Sequence, residues 1–197
     1  RCVYPIHGRG PATSGRHSSR RLIIVKQLAD VDWDNWQAKD PATLVFVIRD
    51  GKILLIDKKT GLGKGKVNGP GGKVECGESP ENCAVRECQE ELGITVTNLQ
   101  YCGQHRFQFV DGYSIHVWVY CTSEFEGVPT ESVEARPFWV PLDEIPYHQM
   151  WEDDSIWLPM MLRGEQFHGR WIFDGDTMVD YELLTDNTGV QKNEKQK

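Results

Sequence analysis

Short apolar runs separated by turn signals fill the middle of this 197-residue chain, and the pattern predicts a strand-rich domain. The continuous apolar run 44–48 is typical of a buried strand, and a second run, 52–56, follows it across Asp50 and Gly51. An Asp-Gly pair between two apolar runs is a strong β-hairpin signal, so we expect the two runs to pair. On the same grounds we expect strands at 104–109, 115–121 and 137–140, and a closing hairpin of 171–173 with 179–184.

After the first hairpin, residues 60–72 contain six glycines and are expected to form a loop. Glycine allows the backbone of such a loop to take positive φ and to approach a ligand closely. A helix should follow the loop, because Ser79 is a good N-cap, Pro80 suits the first helical position and Gly93 suits a stop after Leu92.

The two ends of the chain differ in composition from its middle. Residues 1–21 carry five arginines and no acid, which is typical of a disordered leader, of an artificial extension or of an organelle-targeting segment. We therefore expect a basic, partly disordered leader over 1–40, a single domain over 41–185 and a frayed polar tail over 186–197. A second helix is expected at 154–162, so one sheet with few helices gives a layered domain of the α/β or α+β class.

Composition argues against several kinds of function. The net charge of -7 and the pI of about 5.4 give the chain no electrostatic reason to coat a nucleic-acid polymer, although local basic groups or a metal could hold a small phosphorylated ligand. No apolar run approaches the length of a membrane span. The six cysteines show no C-x-x-C pair and no zinc-like spacing with histidine, so we expect reduced thiols in a cytoplasmic protein. We also expect a monomer.

Three glutamates share one side of the first predicted helix. At about 100° per residue, Glu91 lies near 40° and Glu90 near -60° from Glu87, so the carboxylates occupy an arc of roughly 100°. Like charges at this spacing repel, and a hard divalent cation that prefers oxygen ligands, Mg²⁺ or Mn²⁺, would remove the conflict. A solvated acidic helix face is the alternative that these residues alone leave open. The neighbouring side of the helix is apolar and can pack on the sheet through Ala84, Val85, Cys88 and Leu92.

The surroundings of these glutamates resemble a known motif, because the run 72–94 is similar to the complete Nudix box. Seven fixed residues stand at the spacing of that motif: Gly72, Glu78, Arg86, Glu87, Glu90, Glu91 and Gly93. The resemblance to the Nudix hydrolases implies an α/β/α sandwich with a mixed sheet, and Mg²⁺-dependent hydrolysis of a nucleoside diphosphate linked to another group. It implies that Arg86 orients the carboxylates and that Glu78 holds the loop against the helix. The metal ligands that it implies are the carbonyl of Gly71 and the side chains of Glu87, Glu90, Glu91 and Glu134.

Stretches outside the box resemble one branch of the family, the oxidised purine nucleoside triphosphatases or 8-oxo-dGTP diphosphatases of the MutT-homologue type. The Trp-x-Asp-Asp sequence that begins at Trp151 is the most discriminating, since generic Nudix enzymes lack it. The resemblance implies that Trp151 stacks on the purine and that Asn68, Asp153 and Asp154 bind its edge; the two aspartates are expected to titrate as a coupled pair. Leu62 stands where relatives carry an aromatic residue, so one pocket wall should be smaller. The remaining pocket residues that the resemblance implies are Thr43, Lys58, Phe107 and Phe109.

The expected reaction is attack of water at the α-phosphorus of a substrate such as 8-oxo-dGTP or 2-hydroxy-dATP. It would release a nucleoside monophosphate and pyrophosphate and so sanitise the nucleotide pool. Glu91 is the first choice of general base and Glu134 the second. Two alternatives stay open: a Nudix pyrophosphatase for ADP-ribose, a dinucleoside polyphosphate or another nucleotide derivative, and a catalytically inactive nucleotide-binding domain. The intact glutamate triad argues against the inactive domain.

Overall fold

A mixed nine-stranded β-sheet forms the centre of the protein in the computed structural model, which describes residues 25–185 and 189–192. The strands are β1 (Asp40–Arg49), β2 (Lys52–Lys58), β3 (Val67–Asn68), β4 (Thr95–Thr97), β5 (Gln100–Phe109), β6 (Ser114–Thr122), β7 (Glu124–Glu126), β8 (Ala135–Pro141), β9 (Phe167–Asp174), β10 (Thr177–Thr185) and β11 (Gly189–Lys192). The sheet order is β11-β10-β9-β5-β6-β1-β2-β3, with β8 also paired to β2, while β4 and β7 form a separate ribbon. Strand β1 is parallel to β6 and β5 is parallel to β9, whereas the other pairs are antiparallel, so the prediction of a mixed sheet is confirmed.

Two α-helices, α1 (Pro80–Leu92) and α2 (Asp154–Leu162), cover opposite faces of the sheet. The side chains of β1 pack towards both helices, because successive side chains of a strand point to opposite faces of the sheet. Val45 and Val47 are buried in the cluster that contains the apolar side of α1, whereas Phe46 packs edge-on against Trp157 of α2, with ring centroids 5.7 Å apart. The α/β/α arrangement and the bounds of both helices are therefore as predicted. Two short 3-10 turns lie at Leu28–Asp30 and Tyr147–Gln149.

The hairpin predicted at Asp50 and Gly51 is present. Both residues have positive φ, 53° and 72°, as the tight turn of a two-residue hairpin requires. Strands β1 and β2 then pair with Ile48 opposite Ile53. The other predicted strands also lie within observed ones, namely β5, β6, β8, β9 and β10.

The glycine-rich loop lies against the beginning of β1 and leads the chain to α1. The N–H of Thr43 donates to the carbonyl of Gly72, and the N–H of Val45 donates to the carbonyl of Pro70, both at 2.9 Å. A Cβ atom added at Gly71 would collide with the Thr43 carbonyl oxygen, so this close approach requires glycine. The loop thereby fixes the start of the helix against the sheet.

Four short or terminal strands were not predicted. β3, β4 and β7 have only two or three residues, too few for a period-two pattern to stand out. Residues 189–192 form β11, which pairs with β10 at the edge of the sheet, so the expectation of a frayed end is wrong for them. Strand pairing stabilises a polar sequence that shows no strand pattern of its own. The rest of the predicted tail, 186–188 and 193–197, lies outside the described residues.

Residues 25–39, which we expected to belong to the partly disordered leader, pack on the sheet. The N–H of Leu28 donates to Asp180 Oδ2 at 2.8 Å, and the indole N–H of Trp36 donates to Gln108 Oε1 at 3.0 Å. Trp33 is buried. The arginine-rich stretch 1–21 lies outside the described residues.

Four cysteines, Cys83, Cys88, Cys102 and Cys121, are free thiols as predicted. Cys76, which is exposed in the loop before α1, is disulfide-bonded, so the prediction of a reduced thiol is wrong for this residue. Cys2 lies outside the described residues. Across the described chain, neither helix has the length and apolar character needed to cross a membrane.

Candidate active site

The three glutamates of the motif in α1 differ in burial according to their positions around the helix. The side chain of Glu91 is 2% exposed, that of Glu87 13% and that of Glu90 57%. Glu91 lies nearest to the apolar side of the helix, whereas Glu90 lies farthest from it. The carboxylates therefore follow a path from the protein interior to its surface.

Arg86 connects the more exposed glutamates to the preceding loop. Its Nη1 donates to Glu87 Oε1 at 2.8 Å and to Glu90 Oε2 at 2.9 Å. Its Nε and Nη2 donate to the two carboxylate oxygens of Glu78, each at 2.9 Å. Glu78 Oε2 also accepts the N–H of Glu75, so one guanidinium joins the loop to the helix.

Glu91 is the most enclosed member of the group. Burial raises the pKa of its carboxyl, and the nearby Lys58 ammonium and the Gly71 N–H oppose that rise. Lys58 Nζ lies 3.2 Å from Glu91 Oε1, and the Gly71 N–H donates to Oε2 at 2.9 Å. Lys58, which was expected in the base pocket, thus has its ammonium group at the carboxylate end of the site.

The donor set fits a divalent cation. Burial raises the pKa of Glu87, and the negative charges of Glu91 and Glu90 raise it further, so these carboxylates repel one another. Hard oxygen donors with surplus negative charge suit Mg²⁺ or Mn²⁺. In residues 25–185 and 189–192, however, no three His, Cys, Asp or Glu side chains already converge as a metal cluster. Arg86 and Lys58 instead balance the carboxylate charges.

One cavity of about 300 Å³ connects this helix to the predicted base pocket. At one end it is lined by Gly71, Glu87, Glu91 and Glu134. Glu90 and Arg86 do not line it. All eight residues predicted to contact the substrate line the same cavity: Thr43, Lys58, Asn68, Phe107, Phe109, Trp151, Asp153 and Asp154.

Trp151 forms an aromatic wall of the cavity and is held from several sides. Its ring lies edge-on to Phe173 at 5.5 Å and to Phe109 at 6.3 Å between centroids. The ammonium group of Lys66 lies 4.8 Å from the centroid of the Trp151 ring, a cation–π geometry. A Cβ atom at Gly63 would lie 3.0 Å from Trp151 Nε1, so the glycine-rich loop also packs on this residue.

Asp153 and Asp154 stand side by side at the start of α2, and each is 2% exposed. Asp153 Oδ2 accepts the indole N–H of Trp157 at 2.9 Å, and Asp154 Oδ2 accepts the N–H of Trp151 at 3.0 Å. Burial raises the pKa of Asp153 to about 7. Burial and the adjacent Asp153 raise the pKa of Asp154 well above its usual range. The pair therefore retains proton at neutral pH and can present both a donor and an acceptor.

Comparison with known proteins assigns the family. The model of the NUDIX domain matches residues 38–161. This chain belongs to the Nudix hydrolase family. The Nudix chain is 44% identical over 143 residues to the oxidized purine nucleoside triphosphate hydrolase of Danio rerio and 43% identical over 143 residues to that of Mus musculus; each match covers 72% of this chain and 92% of the relative. The crystal structure of the mutator MutT protein from Bacillus halodurans superposes with a TM-score of 0.66 at 26% identity, covering 73% of this chain and 97% of that one. Nudix hydrolases generally use a divalent metal ion.

Sequence reasoning missed several residues of this Nudix site. No sequence pattern pointed to Lys66, because its contact with Trp151 depends on how the glycine-rich loop folds. His105 could have been found: it precedes Phe107 and Phe109 at alternate positions of β5, so the three side chains share one face of the sheet. Leu62, expected to leave a smaller wall, lines the cavity and is 45% exposed.

Proposed function

We propose that this Nudix hydrolase cleaves oxidised purine nucleoside triphosphates, such as 8-oxo-dGTP and 2-hydroxy-dATP, to the monophosphate and pyrophosphate, and so sanitises the nucleotide pool. The observation that carries the proposal is one cavity whose walls include Glu87 and Glu91 of α1, three aromatic residues of the expected pocket, and Asp153 and Asp154. A triphosphate can reach the carboxylates while its base lies in the pocket. The names of the Danio rerio and Mus musculus relatives support the same substrate class.

Base selection rests on hydrogen bonds within an apolar enclosure. Phe107, Phe109 and Trp151 offer ring surfaces to a purine. Asp153 and Asp154 offer its edge an acceptor and, through the retained proton, a donor. Oxidation of a purine exchanges donors and acceptors at the ring edge, and a mismatched edge leaves buried polar groups unpaired. A pair that can redistribute its proton would accept more than one oxidised base.

The phosphate end is built for a divalent cation, which we propose to be Mg²⁺ with Mn²⁺ as a substitute. Its ligands would be the Gly71 carbonyl and the carboxylates of Glu87, Glu90, Glu91 and Glu134. When bound, the cation would neutralise phosphate charge and acidify a water molecule. Arg86 would orient Glu87 and Glu90, to which it is already hydrogen-bonded. Lys58 would add positive charge beside the phosphates.

The chemical step is attack of a water oxygen on the α-phosphorus. A new P–O bond forms there, the bond from the α-phosphorus to the α,β-bridging oxygen breaks, and pyrophosphate leaves with that electron pair. Glu91 is the first candidate for the base that takes the proton of the water, and its burial and its position in the cavity lining support that choice. Glu134, on the loop before β8, lines the cavity as well and is the second candidate for the base.

Hydrolysis of 8-oxo-dGTP in ¹⁸O-labelled water tests the reaction. We expect label in the nucleoside monophosphate, none in pyrophosphate, activity with MgCl₂ or MnCl₂ and loss of activity in excess EDTA. Release of inorganic phosphate, or label in pyrophosphate, would contradict attack at the α-phosphorus.

Glu91→Gln and Glu134→Gln are matched variants that test which residue is the general base. The value of kcat should fall by roughly 10²–10⁴-fold in the variant that removes the base and by much less in the other.

We also propose that the protein acts as a cytoplasmic monomer. The cavity is lined by one chain, and its substrate class is that of free nucleotides. Light scattering of the purified chain would give its mass, and imaging of the tagged protein would distinguish the cytoplasm from an organelle reached through the basic leader.

A further inference from the structure

His105 is a fully buried polar residue in the wall of the base pocket. It is 0% exposed and lies among aromatic rings: Phe167 stacks on it at 4.9 Å, and the Trp157 ring lies 4.7 Å away between centroids. It also lines the cavity that holds Trp151 and Asp153. Neither the reaction nor the recognition by the aspartate pair described above uses this side chain.

The hydrogen bond from Trp171 fixes which ring nitrogen of His105 carries the proton. The indole N–H of Trp171 lies 3.0 Å from His105 Nδ1, and an indole nitrogen can only donate. His105 Nδ1 is therefore the acceptor. Burial lowers the pKa of His105 to about 3, so the ring is neutral at pH 7 and its single proton is on Nε2. The side chain is thus a hydrogen-bond donor through Nε2.

Among the residues that the structure describes, that donor has no hydrogen-bond partner. In the described part of the chain, only three buried side-chain polar atoms lack a hydrogen bond: His105 Nε2, Asp153 Oδ1 and Glu165 Oε2. His105 and Asp153 line the same cavity, whereas Glu165 does not. They are also joined through Trp157, whose ring packs on His105 and whose N–H donates to the other oxygen of Asp153. The unpaired donor and the unpaired acceptor therefore belong to two residues that line one cavity and share the Trp157 ring as a neighbour.

We propose that His105 is a specificity-determining residue that donates its Nε2–H to a carbonyl oxygen of the bound oxidised purine, next to an N–H of the same base that Asp153 Oδ1 accepts. The inference rests on the proposed function and identifies a further group that reads the base. Buried polar groups are normally paired, and a base whose edge offers an acceptor beside a donor satisfies both atoms at once. A purine without that carbonyl leaves the His105 donor unpaired.

Two substitutions of His105 distinguish the effect of losing the hydrogen-bond donor from the effect of losing the volume of the ring. His105→Gln keeps an amide oxygen to accept from Trp171 and an amide N–H to donate, whereas His105→Leu keeps neither. With 8-oxo-dGTP we expect His105→Leu to raise KM about tenfold with kcat changed less than twofold, and His105→Gln to recover most of the loss. Trp171→Phe removes the indole N–H that holds the proton on His105 Nε2, so KM should rise, but by less than in His105→Leu. Equal KM values for wild type and His105→Leu would overturn the proposal, as would equal losses in the Leu and Gln variants.

NMR spectroscopy of the His105 ring tests the proposal without measuring turnover. In ¹⁵N-histidine-labelled wild-type protein with EDTA, the His105 Nε2–H resonance should move downfield when 8-oxo-dGMP is added. An unmoved resonance with bound nucleotide, or a proton found on Nδ1 in the free protein, would overturn the proposal. If wild type fails to hydrolyse 8-oxo-dGTP, the proposed function fails, and the resonance alone then decides the role of His105.

Discussion

Asp153, Asp154 and Glu91 are each only 2% exposed, and their burial has to be offset by local contacts. Removal of a carboxylate from water costs several kcal/mol unless it is paired or protonated. Glu91 obtains a cation from Lys58 and an N–H from Gly71. The hydrogen bonds that the described residues make to the aspartates come from N–H donors, and the buried pair retains a proton. A protein keeps such residues at a cost in stability when they serve function, so the two groups mark the two ends of the site.

The raised pKa of Asp153 gives stability a pH dependence of known sign. Between pH 3.8, its ordinary pKa, and about 7, the folded protein holds a proton that the unfolded chain has released. The free energy of unfolding should therefore fall as pH rises through this window. Relative to Asp153→Asn, which cannot titrate, wild type should lose roughly 1 kcal/mol per pH unit. Urea unfolding at pH 5, 6, 7 and 8 measures the difference, and parallel curves would show that Asp153 ionises normally.

At the scale of elements, α1 and the glycine-rich loop act as one unit. The loop is tied to β1 by the Gly72 and Pro70 carbonyls, and Arg86 ties the helix to the loop through Glu78. A Cβ atom at Gly72 would occupy the space of the Glu87 carboxylate. The absence of a side chain at Gly72 thus sets the position of that carboxylate.

Gly72→Ala should accordingly damage activity more than stability. Because the obstructed atoms are the mobile end of Glu87, the fold can yield while the carboxylate moves. We expect kcat to fall at least about tenfold, since small displacements of a catalytic group are costly, with the melting temperature lowered by only a few degrees. Gly112→Ala is the matched control. Gly112 has φ of +86° and open space around it, so its substitution should cost about 1 kcal/mol of stability and leave kcat unchanged. Equal effects on kcat in the two variants would contradict this account.

Local signals explain what the sequence predicted correctly about these elements. Helix α1 was predicted with its observed bounds because Ser79 accepts the Asn82 N–H and Gly93 takes φ of 70° at the stop. The ribbon β4–β7 was missed because its two short strands lie far apart in the chain. Strand β11 pairs with the neighbouring β10, and it was missed because its sequence shows no strand pattern of its own. His105 was missed for another reason: a single polar residue in an apolar alternation gives no sign that one of its nitrogens lacks a partner.

At the scale of the whole molecule, the carboxylates proposed to hold the metal and the aspartate pair proposed to read the base lie on helices that cover opposite faces of one sheet. Helix α1 carries the carboxylates on one face, and α2 begins with the aspartate pair on the other. The cavity connects them past the first residues of β1 and the glycine-rich loop. The motif in 72–94 carries most of the proposed reactive end in one stretch of sequence. The proposed base-reading residues, expected from the resemblance outside the motif, come together only in the folded chain.

The net charge of -7, a property of the whole molecule, affects how an anionic substrate can bind. A triphosphate approaching acidic side chains needs compensating charge, and a divalent cation with Lys58 can supply it locally. Turnover should thus depend on the cation and on a base that satisfies the pocket together.

The central claim is tested most directly by the specificity of the wild-type enzyme. Values of kcat/KM should be measured with MgCl₂ for 8-oxo-dGTP, 2-hydroxy-dATP, dGTP and ADP-ribose, each at the same concentration below its KM. We predict that at least one oxidised triphosphate exceeds both dGTP and ADP-ribose by roughly a hundredfold or more. Hydrolysis of dGTP or ADP-ribose as efficiently as of either oxidised triphosphate would contradict the account.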